Sequence, residues 1–318
     1  WAIKNFFIPI NAYLDGKQLP GFLVDHHYAH IYSSAVKSKF QKGLVFSSDG
    51  AGSSPLGNLA CIKKESGIFP IAHCSFQGGR FYELCATVIG LDCGKFMGLA
   101  SYGKSNIDFI DLISKELKFN LNNLSWQSFL NCYQNYFSVN LQNNKYDILS
   151  KEVVNYAANV QTFFELCFLK TITALNDTVK KNLDEKSEGI ILSGGSSLNC
   201  PSNSLIAEKI GYKNVFIEPS CNDEGLGFGA AMALENVINK KLSATYILDN
   251  KSHYSSPFHG PLAISIRSEL IDELSNELIF KKIENISWSD DVAKMLLNGL
   301  TGIIIKDKSE IGPRALGN

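Results

Sequence analysis

A chain of 318 residues, 45% hydrophobic and 19% charged, has enough apolar side chain for sizeable cores and predicts two domains. Its formal net charge of −1 lacks the basic excess that nucleic acid demands, so none is expected as the main partner. No apolar run approaches a membrane span, no signal peptide is visible, and the eight cysteines form no C-x-x-C pair, which leaves a reducing cytoplasm as the expected setting.

In chain order, Phe6-Phe7-Ile8-Pro9-Ile10 reads as a strand with no preceding partner. Asp25-His26-His27-Tyr28-Ala29-His30 then opens a helix expected to run to about Phe40, with Ala29, Ile31, Ala35 and Val36 at apolar positions. His26 and His30, four apart, project from one face about one turn apart, and two neutral imidazoles so placed can grip one divalent metal. The zinc-protease motif is excluded, because it needs Glu directly after the first histidine and His27 stands there. The alternative is a surface helix with three solvated histidines.

Leu44-Val45-Phe46-Ser47-Ser48-Asp49-Gly50-Ala51-Gly52 reads as a buried strand ending in an aspartate, followed by small residues that let a ligand approach. Asp49 is otherwise an ordinary turn former. Gly94 to Gly103 is a small-residue stretch whose Lys95 carries a cation able to meet a phosphate. Residues from about 105 to 150 are polar, with Phe109, Ile110, Ile113, Leu117, Trp126, Phe129 and Tyr133 at helical spacing, and read as a helical insertion whose aromatics pack a core. Glu152 to about Asn182 is a long amphipathic helix with Lys180-Lys181 suited to its C-terminal dipole.

Gly189 to Cys200 follows as an apolar strand running into a glycine turn at Gly194-Gly195 and then a helix. Such a unit cradles phosphate with backbone N–H groups, although neither GKS/T nor GxGxxG is present and the Gly-Gly pair alone makes a tight turn. In Asn222-Asp223-Glu224-Gly225-Leu226-Gly227-Phe228-Gly229, an acidic loop precedes a small-residue helix start favourable to an anion. His26, His30, Asp49 and Asp223 together make a mixed nitrogen and oxygen set suited to iron, zinc or manganese. Beyond a linker, helices are expected at Leu262 to Ile279 and Asp290 to Leu297, and a strand at Gly302 to Lys306. In the terminal Gly312-Pro313-Arg314 turn, Arg314 presents a fork of donors matched to phosphate or carboxylate.

Taken in this order, the stretches at His26–His30, Ser48–Gly50, Lys95–Gly103, Ser193–Cys200, Asn222–Ala230 and Glu310–Asn318 resemble the O-carbamoyltransferases of the nodulation and antibiotic-tailoring type. Ser196-Ser197 replaces the small apolar pair more usual there, and the Asp49 loop lacks an acidic residue that relatives often carry.

The resemblance implies an α/β fold. Residues 1–245 would form an actin-like ATPase domain (ASKHA, tRNA threonylcarbamoyl-transferase-like). A linker at 246–261 and the start of a YrdC-like α/β activating domain at 262–318 would follow. It also implies two steps: carbamoyl phosphate and ATP give carbamoyl-adenylate, and the carbamoyl group passes to a hydroxyl of a sugar or other small molecule with release of AMP. Under this reading His26, His30, Asp49 and Asp223 hold the divalent metal, while Lys95, Gly194, Gly195, Asn199, Gly225 and Arg314 contact the nucleotide or its phosphates. His27, turned about 100° around the helix, is either a group that serves the reaction, as general base or as a support behind the metal ligands, or a structural residue. Both ends read as cut, which predicts an internal fragment; a homodimer stays open. Two alternatives remain: a relative acting on tRNA or in hydrogenase maturation, against which the Gly312–Gly317 motif argues, and a non-catalytic metal- or nucleotide-binding module.

Overall fold

The computed structural model describes residues 6–52, 58–74, 77–116, 125–141, 147–182, 187–238, 257, 258, 260, 288–302 and 308–315. Asp15 and Gly16 both take left-handed φ, 48° and 76°, as a two-residue primed turn requires. They fold Phe7–Leu14 (β1) back on Lys17–Val24 (β2) as an antiparallel hairpin. The strand expected at Phe6–Ile10 thus finds its partner in the segment that follows it.

Asp25 caps the next element, its carboxylate accepting from the Tyr28 N–H at 2.9 Å, so that His26–Ala35 (α1) begins at the first histidine. This helix stops five residues short of the expected Phe40. Buried Lys63 donates to the carbonyls of Ala35, at 2.5 Å, and Ser38, at 3.4 Å, and so satisfies acceptors that a longer helix would have bonded itself.

Gly43–Ser47 (β3) is buried at every residue, because both of its faces are covered. It pairs antiparallel with Asn58–Lys64 (β4), which turns into Gly67–Cys74 (β5). On its other edge it pairs parallel with Gly189–Ser193 (β6), which pairs parallel with Val215–Ile217 (β7). The sheet order is β5-β4-β3-β6-β7. Alternation then divides the core. Leu44, Phe46, Ile190 and Leu192 face a large cluster, and Val45, Leu59, Cys61 and Ile191 face a second one on the opposite side.

The large cluster is supplied by Gly78–Thr87 (α2), Cys93–Ala100 (α3), Ile107–Glu116 (α4), Trp126–Phe137 (α5), the 32-residue Lys151–Asn182 (α6) and Cys200–Ile210 (α7). Phe109, Phe129 and Tyr133 pack there with Tyr156 and Phe163, as the helical spacing of the 105–150 region predicts. The second cluster takes Tyr28, Ile31, Tyr32 and Ala35 of α1, Phe7 of the hairpin, and Ala233 of Leu226–Ile238 (α8). Helices on both faces of a mixed sheet make a three-layer α/β arrangement.

The chain divides into two compact units, Trp1–Ser255 and Ser256–Asn318. In the second, Trp288–Leu297 (α9) covers the helix expected from Asp290, and backbone bonds join Gly260 to Ser309 and Ile311 to Pro257. The expected helix at Leu262 to Ile279 and the strand residues after Gly302 lie outside the described residues, as does most of the linker. No helix among the described residues is long and apolar enough to cross a membrane.

Candidate metal centre

The parallel strands β3 and β6 end in register at Ser47 and Ser193, and the candidate site forms just beyond their carboxyl ends. Capping by Asp25 fixes the first turn of α1 and with it the two histidines. Their Nε2 atoms lie 3.2 Å apart. The His30 carbonyl accepts from the hydroxyls of Ser33 at 2.9 Å and Ser193 at 2.7 Å, which ties this turn of α1 to the end of β6. Asp49 leaves β3 with its backbone held by Asn58, and its carboxylate accepts from the N–H groups of Gly50 at 2.6 Å and Gly195 at 3.1 Å.

Those supports aim Asp49 at the histidines. Its Oδ2 is 2.8 Å from His30 Nε2 and 3.5 Å from His26 Nε2. Asp223 Oδ1 closes the group at 3.4 Å from His30 and 3.7 Å from His26. One ligand atom from each of the four residues lies within 4.8 Å of the others. The donor set, two imidazole nitrogens and two carboxylate oxygens, fits a divalent ion of the iron, zinc or manganese kind.

The electrostatics follow from this packing. The hydrogen bond to Asp49 raises the His26 pKa against the opposing effect of burial, helped by the charges of Asp49 and Asp223. Burial alone would raise the Asp49 carboxyl, but the bonds from His26 and His30 and the Gly50 N–H overcome it and hold Asp49 well below the usual carboxylate range. Asp49 is therefore an ionised acceptor at neutral pH.

The remaining expected site residues fall in different places. His27 turns away from the four donors: its Nδ1 is 3.0 Å from the Ser47 hydroxyl, and a side chain on Gly52 would run into its Nε2. Burial, reinforced by His26 and His30, brings its pKa down to about 3. A base that weak and that enclosed favours the structural half of the two roles expected for it.

The glycine turn also differs from the expected phosphate cradle. Gly195 gives its N–H to Asp49, Ser196 to the Ser48 carbonyl, Ser197 to Gly194, and Asn199 to Ser196. A Cβ on Gly194, whose φ is 81°, would overlap the Ser48 carbonyl, so the pair permits close approach of two chain segments. The Asn199 side chain is spent on Gln161 and on capping α7 through the Ser202 N–H. Gly225 is buried beneath the Ser220 carbonyl and bonded to Asn222. Lys95 is exposed on α3 and paired with Asp92 at 2.9 Å. Arg314 is exposed in the second unit.

Sequence reasoning missed the supports of Asp49. Gly79, at the start of α2, packs so closely that a Cβ would stand 2.7 Å from the Asp49 carbonyl. The Gly78-Gly79 pair was the available signal.

A three-layer α/β domain with a two-histidine, two-aspartate cluster at its strand ends is the class that fold and site define. The family described as carbamoyltransferase N-terminus matches residues 13–232, and the chain belongs to that family of transferases. It is similar to the uncharacterized protein MJ1051 of Methanocaldococcus jannaschii, 30% identical over 92% of this chain and 55% of the relative. The uncharacterized protein MJ1058 of the same organism is 26% identical over 93% of this chain and 50% of its own length. The nodulation protein NolO of Bradyrhizobium diazoefficiens is 25% identical over 93% of this chain and 52% of its own. The chain thus spans about half the length of the curated relatives it matches. Among solved structures, full-length HypF in its phosphate- and nucleotide-bound form aligns with 71% of this chain and 44% of its own, at 19% identity and a TM-score of 0.41.

Proposed function

We propose that this chain is the transfer half of an ATP-dependent O-carbamoyltransferase, in which His26, His30, Asp49 and Asp223 hold a divalent metal. The observation that carries the reading is the convergence of those four donors within 4.8 Å at the ends of β3 and β6, in a chain of the carbamoyltransferase N-terminal family. The domain over residues 1–245 is read as actin-like. Support comes from the order third, second, first, fourth, fifth strand with the second reversed, the arrangement of an actin-like half-domain. Residues from 262 onward are read as the start of the YrdC-like activating domain. There carbamoyl phosphate, water and ATP would give carbamoyl-adenylate with release of phosphate and pyrophosphate, with Arg314 on an anionic group.

A bound ion supplies Lewis acidity, polarising the carbamoyl oxygen and lowering the pKa of an acceptor hydroxyl that otherwise holds its proton at neutral pH. The chain's own residues prepare the place. Asp49 stays ionised because two histidines and two N–H groups hold it so. Gly50, Ala51 and Gly52 add no bulky side chain of their own beside it. His27 stays neutral and braces the end of β3 through Ser47. Nucleotide contacts by Lys95, Gly194, Gly195, Asn199 and Gly225 receive less support, since the turn N–H groups and the Asn199 amide already have partners within the chain.

The test is metal analysis of the purified chain alongside transfer from synthetic carbamoyl-adenylate to a panel of sugars, read as AMP release. His26→Ala and His30→Ala are each expected to lose the metal and keep an unchanged circular dichroism spectrum. Full metal content in both variants would rule out the centre.

A further inference from the structure

We propose that Lys37 is a positioning residue for the fourth donor, holding both flanks of the Asp223 turn against the helix that carries His26 and His30. The inference rests on the metal reading above and adds to it a residue outside the donor set. His26 and His30 are placed by α1, and Asp49, two residues beyond β3, by the N–H groups of Gly50 and Gly195. Asp223 opens a single 3-10 turn, Asp223–Gly225, that runs into α8, and its side chain is 70% exposed. An exposed carboxylate on the first residue of a short turn ordinarily samples several positions, and ordering it costs a ligand part of its affinity.

What fixes this turn is buried behind it. Glu218, Ser220 and Cys221 are each 2% exposed or less. Glu218 forms an ion pair with Lys37, which stands two residues beyond the end of α1. The Ser220 hydroxyl donates to Glu218 at 2.7 Å, and the Lys37 ammonium reaches the same hydroxyl at 3.4 Å. On the other flank, the ammonium lies 4.8 Å from the centre of the Phe228 ring. One cation therefore grips the chain before Asp223 at Glu218 and Ser220, and after it at Phe228. Gly229, whose Cβ would overlap the Ala29 carbonyl, brings α8 flush against α1 and completes the frame.

A buried Lys–Glu pair gives little net stability over apolar residues of the same volume. Its distinctive contribution here is geometric: it sets where the turn crosses α1, and so where the Asp223 carboxylate meets the two imidazoles.

The test compares cobalt(II) binding by the wild type, Lys37→Met with Glu218→Met, Asp223→Ala, and the triple variant, reading dissociation constant and ligand-field spectrum. Replacing both charges keeps volume and avoids leaving one ion unpaired. The K37M/E218M chain is expected to bind cobalt roughly tenfold to a hundredfold more weakly, with a band shifted as in Asp223→Ala. Adding the pair to Asp223→Ala should cost nothing more, because the two act through one ligand. An unchanged constant and band in K37M/E218M overturns the proposal. So does a loss that adds in full to that of Asp223→Ala, the mark of general loosening. Should K37M/E218M fail to fold, Phe228→Leu and Ser220→Ala decide: each is expected to weaken cobalt binding severalfold, and wild-type binding in both overturns the proposal. A wild type that binds no cobalt and matches His26→Ala removes the metal centre and this proposal with it. That result is distinct from a wild type that binds and a Lys37 variant that binds equally well.

Discussion

His27 is 1% exposed, enclosed by Ser47 and the backbone at Gly52, and its folded pKa lies at about 3 against an ordinary 6.5. Burial is the main cause, with His26 and His30 adding to it. Between those two values the unfolded chain holds more protons than the folded one, so stability falls as the pH drops through that window. One such group contributes a slope of up to about 1.4 kcal/mol per pH unit. Asp49, held low in the folded state, acts in the same direction at more acid pH and is common to wild type and variant. His27→Asn retains an amide for Ser47 and removes the titration. In the metal-free chain, the urea midpoint is expected to fall more steeply from about pH 7 to about pH 4 in wild type than in His27→Asn. Parallel curves would show that His27 does not titrate with unfolding. The i, i+4 histidine pair was legible in the sequence because one helix carries both residues. The setting of His27 was not, because Ser47 and Gly52 belong to other segments.

The crossing of α1 and α8 depends on one position with no side chain. Gly229→Ala puts a methyl into the Ala29 carbonyl and is expected to cost about 1–3 kcal/mol, as overpacking does. Gly227 on the same helix has open space around its Cβ position, and Gly227→Ala is expected within about 0.5 kcal/mol of wild type. Denaturant unfolding of the two variants reads the difference, and equal stabilities would show that the crossing can relax. The elements most readable from sequence were those whose own residues decide their burial: the apolar stripe of α6, and the continuous apolar runs of β3 and β6. The end of α1 was unreadable because a lysine from β4 sets it. The spacing of the glycine turn permits either a phosphate cradle or a tight turn. Whether its N–H groups face a ligand or the chain depends on Ser48 and Asp49, which pack against it from β3. The β1–β2 hairpin carries its own signal in Asp15-Gly16, the residues that take the left-handed turn.

Across the chain, none of the eight cysteines is in a disulfide, and they sort by depth. Burial pushes the thiols of Cys85 and Cys167 up to about 12 and that of Cys61 well above its ordinary value. Thiolate is the reactive form, so iodoacetamide at neutral pH is expected to label Cys200 first in the native chain, and Cys93 more slowly, because partial burial, with Glu83 and Asp92 nearby, raises its thiol pKa. Cys61, Cys85, Cys167 and Cys221 should label only after unfolding, as peptide mass spectrometry would read. Labelling of those four at the rate of Cys200 would mean that the interior opens readily.

The parallel pairing of β3 with β6 has a consequence for how such a chain is made. Asp49 and the Gly195 N–H that holds it are 146 residues apart. At ribosomal rates of roughly 5–20 residues per second, the first leaves the tunnel on the order of ten seconds before the second. Over that interval the β3–β4–β5 meander can close locally, but the other edge of Leu44-Val45-Phe46 has no neighbour, and the apolar side of α1 waits for α8. An unpaired apolar edge is a template for pairing with another chain. Synthesis, rather than the finished state, is therefore the interval in which this apolar edge is most open to pairing with another chain.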